Sequence, residues 1–235
     1  MRIFNRISNN LKQNSSNDAV LVPNSNSENF EVNNWELSDF VVNKLLPIVG
    51  VRPFPLNELL LMVGAIHRLH PQVIYEWGTN VGKSARIFFE VAKYFNLNLE
   101  IHSIDLLDDV PHVEHPGGER GKFVRKCDNV FLHQGDGLEF SIAHYKKNPT
   151  IEHPLFFLDG DHSYKSVYRE LEVIIENIPN ANILLHDTFF QSSDSGYNIG
   201  PYQAYKDILS KYNLPYKVIS TETGLPGMTL LYHEK

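Results

Sequence analysis

Two short stretches put ionisable side chains where an apolar run stops. Leu155-Phe156-Phe157-Leu158 leads into Asp159-Gly160-Asp161-His162, and a second run from Ala181 to Leu185 leads into His186-Asp187-Thr188. Apolar runs of this length read as strands buried on both faces of a parallel sheet. Their ends then aim Asp159, His162, His186 and Asp187 at one edge. A histidine there could take a proton near neutral pH. Asp159 and Asp187, with His186 as a third ligand, could hold a divalent ion. The plainer reading is a turn capped by Asp161 with a hydrogen-bonded His162 imidazole, beside solvated strand ends.

A third stretch has the same design. Val73-Ile74-Tyr75 runs into Glu76, then a glycine turn from Gly78 to Gly82, then Ser84 to Phe89 with helical periodicity. This reads as strand, tight turn and helix N-terminus, the ligand-binding end of a doubly wound α/β sheet. Three glycine loops compete. A dinucleotide fingerprint needs Gly-x-Gly-x-x-Gly, but Asn80 and Lys83 stand at the later glycine positions. A phosphate loop needs Gly-x-x-x-x-Gly-Lys-Ser/Thr, and Gly78-Thr79-Asn80-Val81-Gly82-Lys83-Ser84 is one residue short. What remains is Glu76-x-Gly78-Thr79-x-x-Gly82-x-Ser84.

That pattern resembles the first motif of class I S-adenosylmethionine (SAM) methyltransferases, in which the carboxylate and loop backbone hold the methionine portion of SAM. The resemblance implies cofactor contacts from Glu76, Gly78, Thr79, Asn80, Gly82 and Ser84. The next predicted strand, residues 100–105, ends in Asp105, about as far beyond the glycine loop as such folds place a carboxylate against ribose hydroxyls. A solvated strand-end carboxylate is the alternative there. A third strand (129–134) meets Gly135-Asp136-Gly137, which the resemblance places against adenine with Asp136 at the exocyclic amine; a simple turn is the other reading. The implied fold is a Rossmann-like, doubly wound, mostly parallel seven-stranded sheet, closed by strands near 216–220 and 228–232 and preceded by a helical cap.

Asp159-Gly-x-His162 followed by a polar pair at His186-Asp187 is similar to the macrolide-sugar O-methyltransferase and cephalosporin-hydroxylase-like branch of that superfamily. In that branch the first Asp and the later acidic pair coordinate magnesium, and the His is the proposed base. The match covers Asp159, which would also lie at the cofactor, together with His162 and Asp187. His186 departs from it, since the branch more often has Glu. Magnesium prefers oxygen, so the departure leaves room for manganese, another metal or none.

Methyl transfer to a hydroxyl needs little more than positioning and a proton acceptor. The expected activity is therefore O-methylation of a small molecule or sugar, in natural-product or surface-glycan biosynthesis. The alternative is a SAM-fold metal-dependent enzyme or ligand-binding protein without methyl transfer.

The chain has 235 residues and 42% hydrophobic content, enough for one sizeable core. A net charge of −7 argues against a nucleic-acid partner held by charge. A single cysteine, Cys127, excludes an internal disulfide, and no apolar run reaches membrane-spanning length. A cytoplasmic protein is expected, with homo-oligomers open. Residues 1–33, rich in Asn and Ser, read as a disordered tail, 34–70 as a helical cap and 71–235 as the SAM-binding domain. The first cap helix is expected to end at Pro47 and Gly50. Residues 107–127 and 189–201 are expected to be substrate loops. The first contains His112 and His115, a lone His-x-x-His without a helix or other ligands nearby, and Arg120, which either meets an anionic acceptor or is solvated.

Overall fold

The computed structural model describes residues 29–111, 116–212 and 214–233. The first helix, α1 (Asn34–Phe40), is started by Asn33, whose side chain accepts the Trp35 and Glu36 amides. Pro47 does not stop it. A π-helical turn (Val41–Leu45) carries the chain into α2 (Leu46–Val49), which ends at Gly50 with φ 72°. The wider turn lies just ahead of the proline, where a regular helix would meet the ring with a carbonyl and lack a donor.

Helix α3 (Leu56–Leu69) lies between that segment and β1 (Val73–Trp77). There follow α4 (Lys83–Tyr94), β2 (Glu100–Asp105), β3 (Val130–Gln134), α5 (Gly137–Lys147), β4 (Leu155–Leu158) and α6 (Tyr164–Asn177). The chain closes with β5 (Asn182–His186), α7 (Gly200–Tyr212), β6 (Lys217–Ser220) and β7 (Met228–Tyr232).

The seven strands run β3-β2-β1-β4-β5-β7-β6, all parallel except β7, which is antiparallel to both neighbours. Central strands are apolar because both faces are covered. Ile74, Ile101, Phe157 and Leu184 face one core with Met62 and Ile66 of α3 and Phe88 of α4. Tyr75, Phe156, Ile183 and Leu185 face the other, with Leu171 and Ile174 of α6 and Tyr205 of α7. Each such side chain fully buried contributes about 1.5–3 kcal/mol. Leu37, Phe40 and Leu45 join the first core, so the N-terminal helices pack continuously with the sheet. Among the described residues, no helix is long and apolar enough to cross a membrane.

Strand order reverses between β1 and β4, and ligands of open α/β sheets bind at that point. The register sets what meets there. Trp77 pairs with Leu158, so Gly78 and Asp159 leave the sheet side by side. Leu158 pairs with Leu185, so Asp159 is level with His186. His186 pairs with Met228, which brings Gly227 to the same edge.

Candidate active site

Gly78 has φ 100°, and a Cβ there would lie 2.4 Å from the Asp159 carbonyl oxygen; only glycine lets β1 turn this close to β4. The Thr79 and Ser103 hydroxyls are buried 2.7 Å apart. The Asn80 and Leu106 amides donate to the two oxygens of Asp105, at 3.0 and 2.9 Å. Gly82, left-handed, precedes α4, whose first turn buries Ser84. Lys83 turns away and donates to the Arg52 carbonyl at 2.6 Å. The phosphate-loop reading therefore loses its cation as well as its length.

Glu76 is fully buried, and neither carboxylate oxygen has a partner in hydrogen-bond geometry. Burial pushes its pKa up to about 8, against partial relief from the nearby Ser103 and Ser84 hydroxyls and the Ala85 amide; Asp159 adds to the rise. A buried carboxyl left unsatisfied is costly and fits a polar ligand that completes it.

Asp105 is more occupied than a free ribose acceptor. Arg120 Nε donates to its Oδ2 at 3.1 Å, and Arg120 also reaches Asp108 and the Leu106 carbonyl. The stretch around Arg120 is stitched to the glycine loop, with Gly121 N–H donating to the Asn80 carbonyl and Phe123 N–H to that of Val81. Arg120 is thus paired rather than solvated. Asp136 caps α5, accepting the Glu139 amide at 3.0 Å. His112 and His115 lie outside the described residues.

The second group is compact. His162 Nδ1 lies 3.0 Å from Asp187 Oδ2, within ion-pair distance, and Nε2 lies 3.9 Å from Asp159 Oδ1. Tyr197 shares its hydroxyl proton between Asp187 Oδ1 at 3.1 Å and the Pro226 carbonyl at 3.0 Å. Asn198 Nδ2 donates to the His162 carbonyl at 2.7 Å, which binds the loop after β5 to the turn after β4.

His186 is buried between two carboxylates, with Nδ1 2.8 Å from Asp159 Oδ1 and Nε2 3.1 Å from Glu58 Oε2. Burial pushes its pKa down, but Asp159, then Glu58 and Asp187, outweigh that and hold it up at about 10. Phe54 and the His186 ring meet in a T-shaped contact, 5.0 Å between centroids.

One donor atom each from Asp159, His186 and Asp187 lies within 4.8 Å of the others. Two carboxylates and an imidazole whose far nitrogen is held by a carboxylate fit a divalent ion. Such an ion would displace the Nδ1 proton, so its affinity should rise with pH.

Sequence reasoning therefore located two groups that the fold brings to one edge. It missed Glu58, Tyr197 and Phe54. Glu58 left a signal, for it sits on the stripe with Met62 and Ile66, where a solvated acid has no place. Tyr197 left none.

Residues 75–188 match the family model described as "Methyltransferase domain". No curated protein matches the chain. Among solved structures, CalS11, a TDP-rhamnose 3'-O-methyltransferase of calicheamicin biosynthesis, is similar at 18% identity and TM-score 0.51, over 84% of this chain and 92% of that one. TomG, an O-methyltransferase of Streptomyces achromogenes involved in tomaymycin synthesis and solved with SAM, gives 12%, TM-score 0.57, 86% and 89%. A Bacillus cereus O-methyltransferase in complex with SAH gives 14%, TM-score 0.52, 92% and 93%.

Proposed function

We propose that this chain, which carries a methyltransferase domain at residues 75–188, transfers the methyl group of SAM to a hydroxyl of a small molecule or sugar, in natural-product or surface-glycan biosynthesis in the cytoplasm. The observation that carries the O-methylation reading is the Asp187–His162 pair beside the glycine loop. It leaves one imidazole nitrogen available as a base at the edge where such sheets bind ligands. The solved O-methyltransferases with the same fold support the cofactor, and CalS11 supports a sugar acceptor.

SAM, when bound, supplies an electrophilic methyl on a sulfonium. The residues of this chain do the rest. Gly78 admits the ligand close to the backbone, and Thr79, Asn80, Gly82 and Ser84 shape the loop around its methionine end. Glu76 gains a polar partner beneath that loop. Asp105 accepts ribose hydroxyls as Arg120 yields, and Asp136 stands at the adenine end. The helices of residues 34–70 serve as a cap that helps shape the acceptor pocket.

At the chemical end, His162 Nε2 takes the acceptor's hydroxyl proton. Asp187, 3.0 Å from Nδ1, would accept from a proton on that nitrogen and leave Nε2 to face the acceptor. Asp159, His186 and Asp187 would hold a divalent ion, manganese or another transition ion in preference to magnesium; when bound, it lowers the pKa of a coordinated hydroxyl.

Calorimetric titration with SAM and its demethylated product tests the cofactor, and methylation of a panel of sugar nucleotides and phenols tests the acceptor. Micromolar binding of both cofactor forms and one methylated product is expected. A folded protein that binds neither form would overturn the reading.

A further inference from the structure

We infer that Glu58, on α3 and outside the matched domain, positions His186 as a nitrogen ligand, setting the metal preference of the Asp159–His186–Asp187 cluster toward first-row transition ions over magnesium. This rests on the metal-assisted form of the function proposed above.

A carboxylate with no solvent exposure is expensive unless its lone pairs are used, and both Glu58 oxygens are. Oε1 accepts the Gly227 amide at 2.8 Å, and Oε2 lies 3.1 Å from His186 Nε2. The acceptor at Nε2 fixes a proton on that nitrogen. It follows that Nδ1 is the atom turned toward Asp159 Oδ1, 2.8 Å away, inside the cluster of donor atoms.

Rotation of the ring is blocked twice. The Glu58 carboxylate is anchored by the backbone of the segment leading into β7, and Phe54 packs on the imidazole. The Gly227 segment is itself held by the chain after β5, with the Thr188 amide donating to the Gly227 carbonyl and the Phe189 amide to that of Pro226, both at 3.1 Å. A carboxylate behind a ligating imidazole orients it and raises its basicity, and losing such a partner typically costs about 10–100-fold in metal affinity. Imidazole nitrogen is accepted by transition ions far better than by magnesium.

A merely structural Glu58 would tie α3 to the sheet without affecting what the cluster binds. The test is therefore spectroscopic. Mn(II) is bound to the full-length protein with SAM present, and pulsed electron paramagnetic resonance reads directly coordinated nitrogen. Wild type is expected to show one imidazole nitrogen on Mn(II). Glu58→Gln is expected to bind Mn(II) about 10–100-fold more weakly with SAM affinity unchanged. His186→Asn, whose amide offers oxygen at the place of Nδ1, is expected to lose the nitrogen signal and to narrow the preference for manganese over magnesium.

Mn(II) bound without nitrogen coupling in wild type, or bound equally well by Glu58→Gln, would overturn the assignment of Glu58. Absence of Mn(II) binding in a protein that binds SAM would overturn the metal reading beneath it. Absence of SAM binding would overturn the methyltransferase reading itself, so the three failures are distinguishable.

Discussion

The Asp187–His162 contact at 3.0 Å is where the chemistry can be tested one atom at a time. Removing the base by His162→Ala should lower turnover by about 10²–10⁴-fold while leaving SAM affinity unchanged. If turnover survives, the base lies elsewhere. Asp187→Asn is a subtler probe, since an amide can donate to Nδ1 and so favour the tautomer with its proton on Nε2, the nitrogen needed as base. A loss of similar size is expected, read as a fall in kcat in single-turnover assays. His162, Asp159 and Asp187 were legible because each follows an apolar run. Glu58 left a different signal, an acid on the apolar stripe with Met62 and Ile66, which the run Leu59-Leu60-Leu61 outweighed by making the helix look like plain cover. Tyr197 comes from a loop whose path back to Asp187 is set by tertiary contacts, which no local pattern encodes.

At the scale of elements, the approach of β1 to β4 is the feature most exposed to a single substitution. Gly78→Val forces a side chain onto the Asp159 carbonyl and into a left-handed conformation. SAM binding should weaken by at least about tenfold, since one unit of log affinity is only about 1.4 kcal/mol. Unchanged affinity by calorimetry would remove the loop from the cofactor assignment. The strands themselves were readable, and β2 runs over the stretch its sequence predicts, Glu100–Asp105. The π-turn before Pro47 was not readable, because proline's usual reading is a stop and the alternative depends on how Phe40 and Leu45 pack. The attachment of the 117–127 segment to the glycine loop was equally hidden, being made by backbone groups that carry no residue signature.

For the whole molecule, two buried groups give stability opposing pH dependences. Glu76 has a folded pKa of about 8 against an ordinary 4.5, so its contribution is full below 4.5 and is lost as pH rises through 8. His102 goes the other way. Burial, then the neighbouring His144 and His133, lowers its pKa to about 4 from 6.5, so its contribution is full above 6.5 and is lost as pH falls through 4. The two windows oppose each other from about 4.5 to 6.5 and separate above it. Between pH 6.5 and 8, chemical denaturation should therefore show wild type losing stability while Glu76→Gln stays flatter. Identical slopes would mean that Glu76 is ionised in the free protein. SAM should abolish the difference if its bound form supplies the missing partner.

Glu58 joins a helix ahead of the first strand to the end of β5 and to the backbone entering β7, the last strand. The two halves of the edge consequently mature at different times as the chain is made. The glycine loop is set by β1, the 117–127 segment and the end of β4, all made before β5. The imidazole between Asp159 and Glu58 gains its final anchor only when β7 arrives. The His186 side of the edge therefore depends on the far end of the sheet: without β7, Glu58 Oε1 loses the Gly227 amide, and with it goes the anchor behind the His186 ring.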